Sequence, residues 1–419
     1  MTPFYPVQSS RDADAKTPTR RQQADWMLNT PRPRVLISGY YGFDNLGDDL
    51  ILKVLCDALL MQNVAVTVLS QNPEDTEKRF GVRAVRRTNL IDIIDAIIQT
   101  NLFVSGGGGL FQDATGPASP FYYGGLIRLA RLFDVPVCFW SQGVGPLAHP
   151  TLGWATRAMT RWSVKGCEAI TVRDVQSAQL ITSLGLPTPP VTADPVWLLK
   201  LPTAAPTESN TGYTGSDSNP RQKPLTKTFG ISLRPWHELT ENRLEAFSRL
   251  LIQIANKYNA EGYACHFALF AFQHETDWRL LSEFKTRLQI LLNQIHQKPA
   301  IEMSLHTYKG ASFLPQDPFW QALAHCDAFF GMRYHSLVLA LLAGKPVYAL
   351  SYDPKVQSLI DTLRIPGCPV ALMEGLRADG ILDALMRYDF PDLTPLKTKA
   401  WANLHLLEEL IQQSADTGR

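Results

Sequence analysis

Cysteine is sparse in this chain and nowhere paired. The six residues Cys56, Cys138, Cys167, Cys265, Cys326 and Cys368 stand singly in 419, with no CxxC among them. That spacing excludes a disulfide framework and the common zinc sites, and points to reduced thiols. The nine histidines form no HExxH or CxxH spacing, so neither a metal nor a cofactor is expected. Charge of one sign is missing too: 40 Lys and Arg against 39 Asp and Glu leave +1. Nucleic acid is therefore no expected partner, and any anion must be met by a local cluster of cations. Long apolar runs are also missing; the longest, Leu337 to Ala343, is far too short to cross a bilayer. The first 33 residues are polar, with no apolar h-region. No signal peptide is expected there, and a cytoplasmic location is.

What is present suits a large globular chain, with 45% apolar and 19% charged residues. Apolar β-rich runs at Val35–Ile37, Val64–Leu69, Leu102–Ser105, Val137–Trp140 and Ala169–Val172 alternate with helix-like spacing at Gly47–Met61, Leu90–Gln99, Tyr122–Phe133 and Val175–Leu184. Such alternation predicts a parallel sheet covered on both faces. From Pro202 to Lys227 proline, glycine, serine and threonine dominate, which reads as a flexible interdomain linker or insertion. The alternation then restarts with Phe229–Leu233, Cys265–Phe272, Ile301–Leu305, Ala328–Gly331 and Pro346–Ser351 as strands. The expected architecture is α/β: two Rossmann-like domains facing across a cleft. Its parts are a flexible tail (1–33), a first domain (34–201), a linker (202–227), a second domain (228–390) and a C-terminal helix and tail (391–419).

Three loops fall at the carboxyl ends of strands in the first half, where α/β proteins bind ligands. They are Gly39–Asp49 (GYYGFDNLGDD), Ser105–Asp113 (SGGGGLFQD) and Ser141–Pro146 (SQGVGP). Glycine there lets backbone approach a ligand, and Asp44, Asn45 and Asp48 would form a polar rim suited to sugar hydroxyls. Asn45 and Asp48 also fit a plain helix cap and turn. Arg173 emerges at the same edge after Ala169–Val172. In the second half Arg333 and His335 lie at a strand-to-helix junction, and Lys355 follows the adjoining strand. These three could converge with a helix N-terminus on one anion. Arg234, Trp236 and His274 stand at neighbouring strand ends, with Trp236 able to stack on a sugar ring.

The ordered set GYYGFDNLGDD, SGGGGLFQD, SQGVGPL, VRD, ADPVW, GISLRPW, GMRYHSLVLALLAGKPV and SYDPKV resembles the polysaccharide pyruvyl transferase family, in particular its CsaB branch. The likeness runs from about Val35 to Leu363. It implies a GT-B-like fold, phosphoenolpyruvate as donor, and a pyruvate ketal formed on a sugar of a cell-wall polysaccharide with release of phosphate. In the CsaB branch the acceptor is typically an N-acetylmannosamine unit that anchors S-layer-homology domains. The family's donor-binding histidine falls on His335, its lysine on Lys355, and its arginine matches best at Arg173. Arg173, Arg333, His335, Lys355 and Arg234 are thus the expected donor-binding set, with His335 the general acid. Asp44, Asn45, Asp48, Gly107, Gly108, Gln112 and Gln142 are expected on the acceptor side. The partners implied are phosphoenolpyruvate and a glycan, free or lipid-linked, with peripheral membrane association through a lipid-linked acceptor. Two other readings stay open: a nucleotide-sugar glycosyltransferase of the same fold, and a polysaccharide-binding protein without turnover.

Deleting Thr203–Pro224 is expected to leave folding and donor binding nearly intact, because the segment lacks core-forming residues. A thermal melt of the deletion variant checks this; a large drop in melting temperature would mean that the segment packs into a domain.

Overall fold

The computed structural model describes residues 32–114, 116–201, 225–309 and 312–416. Of the tail expected at 1–33 and the linker expected at 202–227, residues 1–31 and 202–224 lie outside the described residues. The first half runs β1 (Arg34–Ser38), α1 (Leu46–Met61), β2 (Ala65–Ser70), α2 (Pro73–Phe80), β3 (Arg83–Arg86), α3 (Leu90–Ile98), β4 (Leu102–Ser105), β5 (Gly108–Phe111), α4 (Ala118–Leu132), β6 (Val137–Val144), α5 (Gly153–Val164), β7 (Ala169–Val172) and α6 (Val175–Ser183). A 3-10 turn at Pro195–Leu198 closes it. The second half runs β8 (Thr226–Ser232), α7 (Glu241–Ala260), β9 (Ala264–Ala271), α8 (His274–Asn293), β10 (Ile301–Thr307), α9 (Pro318–Ala324), β11 (Ala328–Gly331), α10 (Tyr334–Leu342), β12 (Val347–Ser351), α11 (Pro354–Leu363) and β13 (Gly367–Pro369). A 3-10 turn (Val370–Gly375), α12 (Ala378–Met386) and a long last helix, α13 (Thr394–Asp416), follow.

Each half is built on one parallel sheet. The first has the order β3-β2-β1-β4-β6, with β7 and β5 also paired to β6. The second has the order β10-β9-β8-β11-β12-β13. Residues of β1 alternate between two apolar layers: Val35 and Ile37 join one core, Leu36 the other. A strand covered on both faces requires that pattern. Two differences from the sequence reading bear on the site. Gly108 belongs to a strand and not to a loop, because β5 pairs with the far part of β6 at Gly108–Gln142 and Phe111–Val144. The second sheet also begins within the stretch read as linker, since Thr226 and Lys227 pair with Ala264 and Cys265.

The halves touch through backbone as well as side chains. Leu46 N donates to Phe272 O at 2.9 Å, and Asn45 bridges Gln273. The last helix, α13, leaves the second half and packs on the first sheet, where Trp140 Nε1 donates to Asn403 O at 3.0 Å. Arg79 of α2 forms a further tie. Its Nη1 lies 2.9 Å from Asp49 Oδ2, and Asp49 is buried. Its Nη2 donates to the Tyr308 hydroxyl of the second half, and its guanidinium sits 4.8 Å from the Tyr308 ring centre. Burial pushes the Asp49 carboxyl up to about 7, with Arg79 pulling the other way.

Arg79→Ala is expected to destabilise the fold by about 3–5 kcal/mol, because it strands a buried carboxylate and removes a cross-half contact. Urea denaturation measures the loss, and a change within about 0.5 kcal/mol would show that Arg79 carries none of this load.

Candidate active site

In each sheet the strand order reverses direction at one point, between β1 and β4 in the first and between β8 and β11 in the second. A crevice opens at the carboxyl ends of strands at such a point. The loop after β1 and the glycine run after β4 flank the first crevice; Leu233–Trp236 and Met332–Arg333 flank the second. The two crevices face each other, because the start of α1 lies against the start of α10. Gly47 marks that contact: a Cβ there would fall 2.1 Å from His335 Nδ1. Only a residue without a side chain lets the histidine of the second half approach so closely.

Asp194 is the centre of the site. It follows the strand-like Val191–Ala193 and caps the 3-10 turn, its Oδ1 accepting from Val196 N at 3.0 Å. Its side chain is 0% exposed. Oδ2 takes a hydrogen bond from Arg173 Nη1 at 2.7 Å and lies 3.4 Å from His335 Nε2, an ion-pair distance. Burial alone would raise the Asp194 carboxyl, but His335 and Arg173 hold it far below the usual carboxylate range. Burial opposes the charge of Arg173, and Asp194 and Tyr334 more than offset it. Burial pushes His335 below its ordinary value; Asp194 pulls it up, while Arg173 and Lys355 push it further down. Gly143 gives Arg173 room, since a Cβ there would lie 2.9 Å from Nε. Tyr334 completes the layer, edge-on to His335 at 5.2 Å and beneath Arg173 at 5.4 Å.

A cavity of about 160 Å³ opens beside this network, lined by Arg173, Asp194, Tyr334, Lys355, Ser358 and Lys399. Lys355 is more open to solvent than Arg173: its side chain is 38% exposed, with Nζ 3.2 Å from Asp353 Oδ2. Asp48 approaches from the first half. Its Oδ2 accepts from Asn45 Nδ2 at 2.6 Å, and a Cβ on Gly108 would lie 2.9 Å from its Oδ1. Burial, aided by Asp49, pushes the Asp48 carboxyl up to about 7 against the pull of Arg173 and Lys355.

The remaining expected residues divide by what already holds them. Arg333 is taken by the second half itself: Nε donates to Asp277 Oδ2 at 2.6 Å and Nη2 to Thr276 Oγ1 at 3.0 Å. It is buried and ties α10 to the start of α8, so it does not stand open to an anion beside His335. Arg234 donates through Nη1 to the Tyr352 hydroxyl at 2.9 Å, and its buried Nε has no hydrogen-bond partner among the described residues. His274 bonds Thr307 Oγ1 at 2.9 Å. Gln142 lies inside the first sheet, Nε2 donating to Ser105 O at 2.8 Å, with Oε1 unpartnered among the described residues. It braces the glycine run around Gly107 and does not project into the cleft. Gln112 accepts from Ala114 N at 2.8 Å and shapes its own turn. Asn45 caps α1, as its spacing allowed, and Asp44 takes a left-handed backbone at φ +50°. Toward the cleft mouth, Tyr40 and Phe43 stack at 4.0 Å, with Arg87 lying 5.1 Å from the Phe43 ring. Asp194, Tyr334, Gly47 and Gly143 were not singled out from sequence; the motifs ADPVW, RYHS, NLGD and SQGVG contain them, but no spacing rule names them.

A family model described as polysaccharide pyruvyl transferase matches residues 45–354. A search among curated proteins gives no match. Among solved structures, the chain is similar to one assigned to a UDP-N-acetylglucosamine 2-epimerase from Listeria monocytogenes, with TM-score 0.58, 12% identity, and 91% of this chain and 98% of that chain covered. It is also similar to UDP-GlcNAc 2-epimerase from Methanocaldococcus jannaschii, with TM-score 0.56, 8% identity and coverage of 90% and 100%. The enzyme of that name from Neisseria meningitidis, bound to UDP-GlcNAc, gives TM-score 0.54, 13% identity and the same coverage of 90% and 100%. At these identities the likeness concerns the fold: two parallel-sheet Rossmann-like halves in a GT-B-like arrangement.

Asp194→Asn is expected to move the His335 titration further down, because the carboxylate is what holds the imidazole up. It should also cost about 3–5 kcal/mol, since Arg173 loses its buried partner. Imidazole NMR titration and urea denaturation read the two effects separately; an unmoved His335 would mean that Asp194 does not act on it.

Proposed function

Since the chain belongs to the polysaccharide pyruvyl transferase family, we propose that it moves the enolpyruvyl group of phosphoenolpyruvate onto a sugar of a cell-wall polysaccharide, as the CsaB branch does, in the cytoplasm. The single observation that carries this is the Arg173–Asp194–His335 network, which joins both halves beside a cavity also lined by Lys355. Phosphoenolpyruvate bears a carboxylate and a phosphate, and a buried arginine with a movable lysine suits both. We take 34–201 as the acceptor half, 228–390 as the donor half and 391–419 as a strap between them.

In the proposed reaction His335 gives its proton to the methylene carbon, leaving C2 electrophilic. One sugar hydroxyl forms a bond to C2 and releases its proton to a base; Asp48, at about 7, is suited to accept it. A second hydroxyl then displaces phosphate from C2 and closes the ketal, its proton leaving with the phosphate. One hydroxyl proton thus replaces the one given to carbon, and the other departs as hydrogen phosphate. Free His335 is held low by burial and two cations, so the imidazolium the reaction needs is scarce before the donor arrives. A bound, multiply charged anion offsets those cations and raises it again. The stacked Tyr40–Phe43 pair offers a sugar an apolar face. A nucleotide-sugar glycosyl transfer has the shared fold in its favour and no observation in the site. Phosphate release from phosphoenolpyruvate in the presence of cell-wall glycan, set against consumption of nucleotide sugars, separates the two.

His335→Gln is expected to lower turnover about 10²–10⁴-fold, since an amide donates a hydrogen bond but delivers no proton. Lys355→Ala should chiefly raise the Michaelis constant for the donor, as a flexible ammonium binds ground and transition states alike. Steady-state kinetics with phosphoenolpyruvate varied at saturating acceptor measure both. Adding phosphoenolpyruvate should also move the His335 NMR titration upward. An unshifted imidazole, or near-normal turnover in His335→Gln, would remove His335 from the acid role.

A further inference from the structure

Helices α4 and α5 cover one side of the first half and make a single two-helix face. They meet closely at Gly124, where a Cβ would fall 2.4 Å from Ser163 Oγ. Arg128 lies 4.2 Å from the Trp162 ring, and Arg131 Nη1 donates to Lys165 O at 2.9 Å. These contacts set the helices parallel, so both N-termini lie at the edge of the sheet where the site opens. Large apolar side chains nonetheless point outward along the whole face. Leu132 is 76% and Trp154 74% exposed, and Phe121, Leu152 and Trp162 are exposed as well. Core formation would have buried such residues, and four of them on two touching helices, with Leu152 capping the second, mark a contact surface.

The charge around them is predominantly positive. Between residues 118 and 165 there are five cations (Arg128, Arg131, Arg157, Arg161 and Lys165) and one acid, Asp134, in a chain whose total is +1. Among the described residues, Arg128, Arg157, Arg161 and Lys165 take part in no ion pair. Arg157 Nη2 donates to Ser183 Oγ at 3.1 Å. Unpaired cations interleaved with exposed tryptophan and leucine match a layer that is anionic at its surface and apolar beneath it. Tryptophan settles at the boundary between headgroup and acyl chain, and long basic side chains reach the phosphates. Among the described residues no helix is long and apolar enough to span a membrane, so contact must be along the surface.

We propose that the α4–α5 face docks this protein on an anionic phospholipid surface. The sheet edge carrying the site then stands close to the membrane plane, within reach of a glycan held there by a lipid. A second copy of this chain fits less well, because a symmetric contact would set five cations against the same five.

Vesicle cosedimentation with the full chain tests the proposal. Vesicles of equal parts phosphatidylglycerol and phosphatidylcholine should pull the protein down, and pure phosphatidylcholine should not. Trp154→Ser/Trp162→Ser and Arg161→Glu/Lys165→Glu should each cut the bound fraction about tenfold, with unchanged circular-dichroism melts. Brominated lipid in the anionic vesicles should quench wild-type tryptophan fluorescence more than that of Trp154→Phe/Trp162→Phe. These positions lie outside the transfer site, so pyruvyl transfer to a soluble glycan should persist in every variant; its absence in the wild type would count against the transfer reading and not against docking. No sedimentation of the wild type with anionic vesicles, or sedimentation of both double variants at the wild-type level, would overturn the proposal. So would a Trp154-dependent dimer in sedimentation velocity without vesicle binding.

Discussion

The site depends on one fully buried carboxylate being ionised. Asp194 has no contact with solvent, so its charge rests first on Arg173, whose Nη1 lies 2.7 Å from Oδ2. Arg173 comes from the end of a first-half strand, and His335 approaches the same oxygen to 3.4 Å from the start of a second-half helix. One buried carboxylate is therefore the point at which side chains of the two halves meet. Asp194 itself is held in place from the first half: Thr192 N donates to Val172 O, and Ser141 Oγ to Ala193 O. The network is thus anchored on one side and completed from the other.

Two titratable groups of this site are shifted in opposite directions. Asp48 rises from the carboxylate range to about 7, and His335 falls below its usual value. In each case the uncharged form is the one favoured by burial. The same burial causes both shifts, acting on opposite charges. Glycine makes that burial possible, since the absent side chains of Gly47 and Gly143 give space to His335 and Arg173.

The scaffold was far more legible in sequence than the site. Strands such as Leu102–Ser105, Ala169–Val172 and Ala328–Gly331 stand where their apolar runs put them, because full burial leaves an unmistakable pattern. Short, polar α2 (PEDTEKRF) carries no such pattern and went unread. The glycine run hid β5, because glycine has no strand preference and only pairing with β6 orders it. For the site, sequence supplied the arginines but not their partners. Arg333 and Arg173 look alike in a strand-end motif, yet one is taken by Asp277, fifty-six positions away, and the other by Asp194. Which guanidinium faces a ligand is a question of three-dimensional neighbours, and spacing does not encode it.

The last helix gives the molecule a property of linkages. The chain passes between the halves twice, once between Leu201 and Leu225 and again before α13 returns to the first sheet at Trp140 and Asn403. Two bodies joined at a single point can swivel freely; joined at two, they keep one easy freedom, rotation about the line through both joints. Between these two halves that remaining rotation is itself opposed, since Leu46 N bonds Phe272 O and Arg79 reaches Tyr308 across them. The close approach of Gly47 and His335 thus lies between bodies pinned at more points than the chain crossings alone supply.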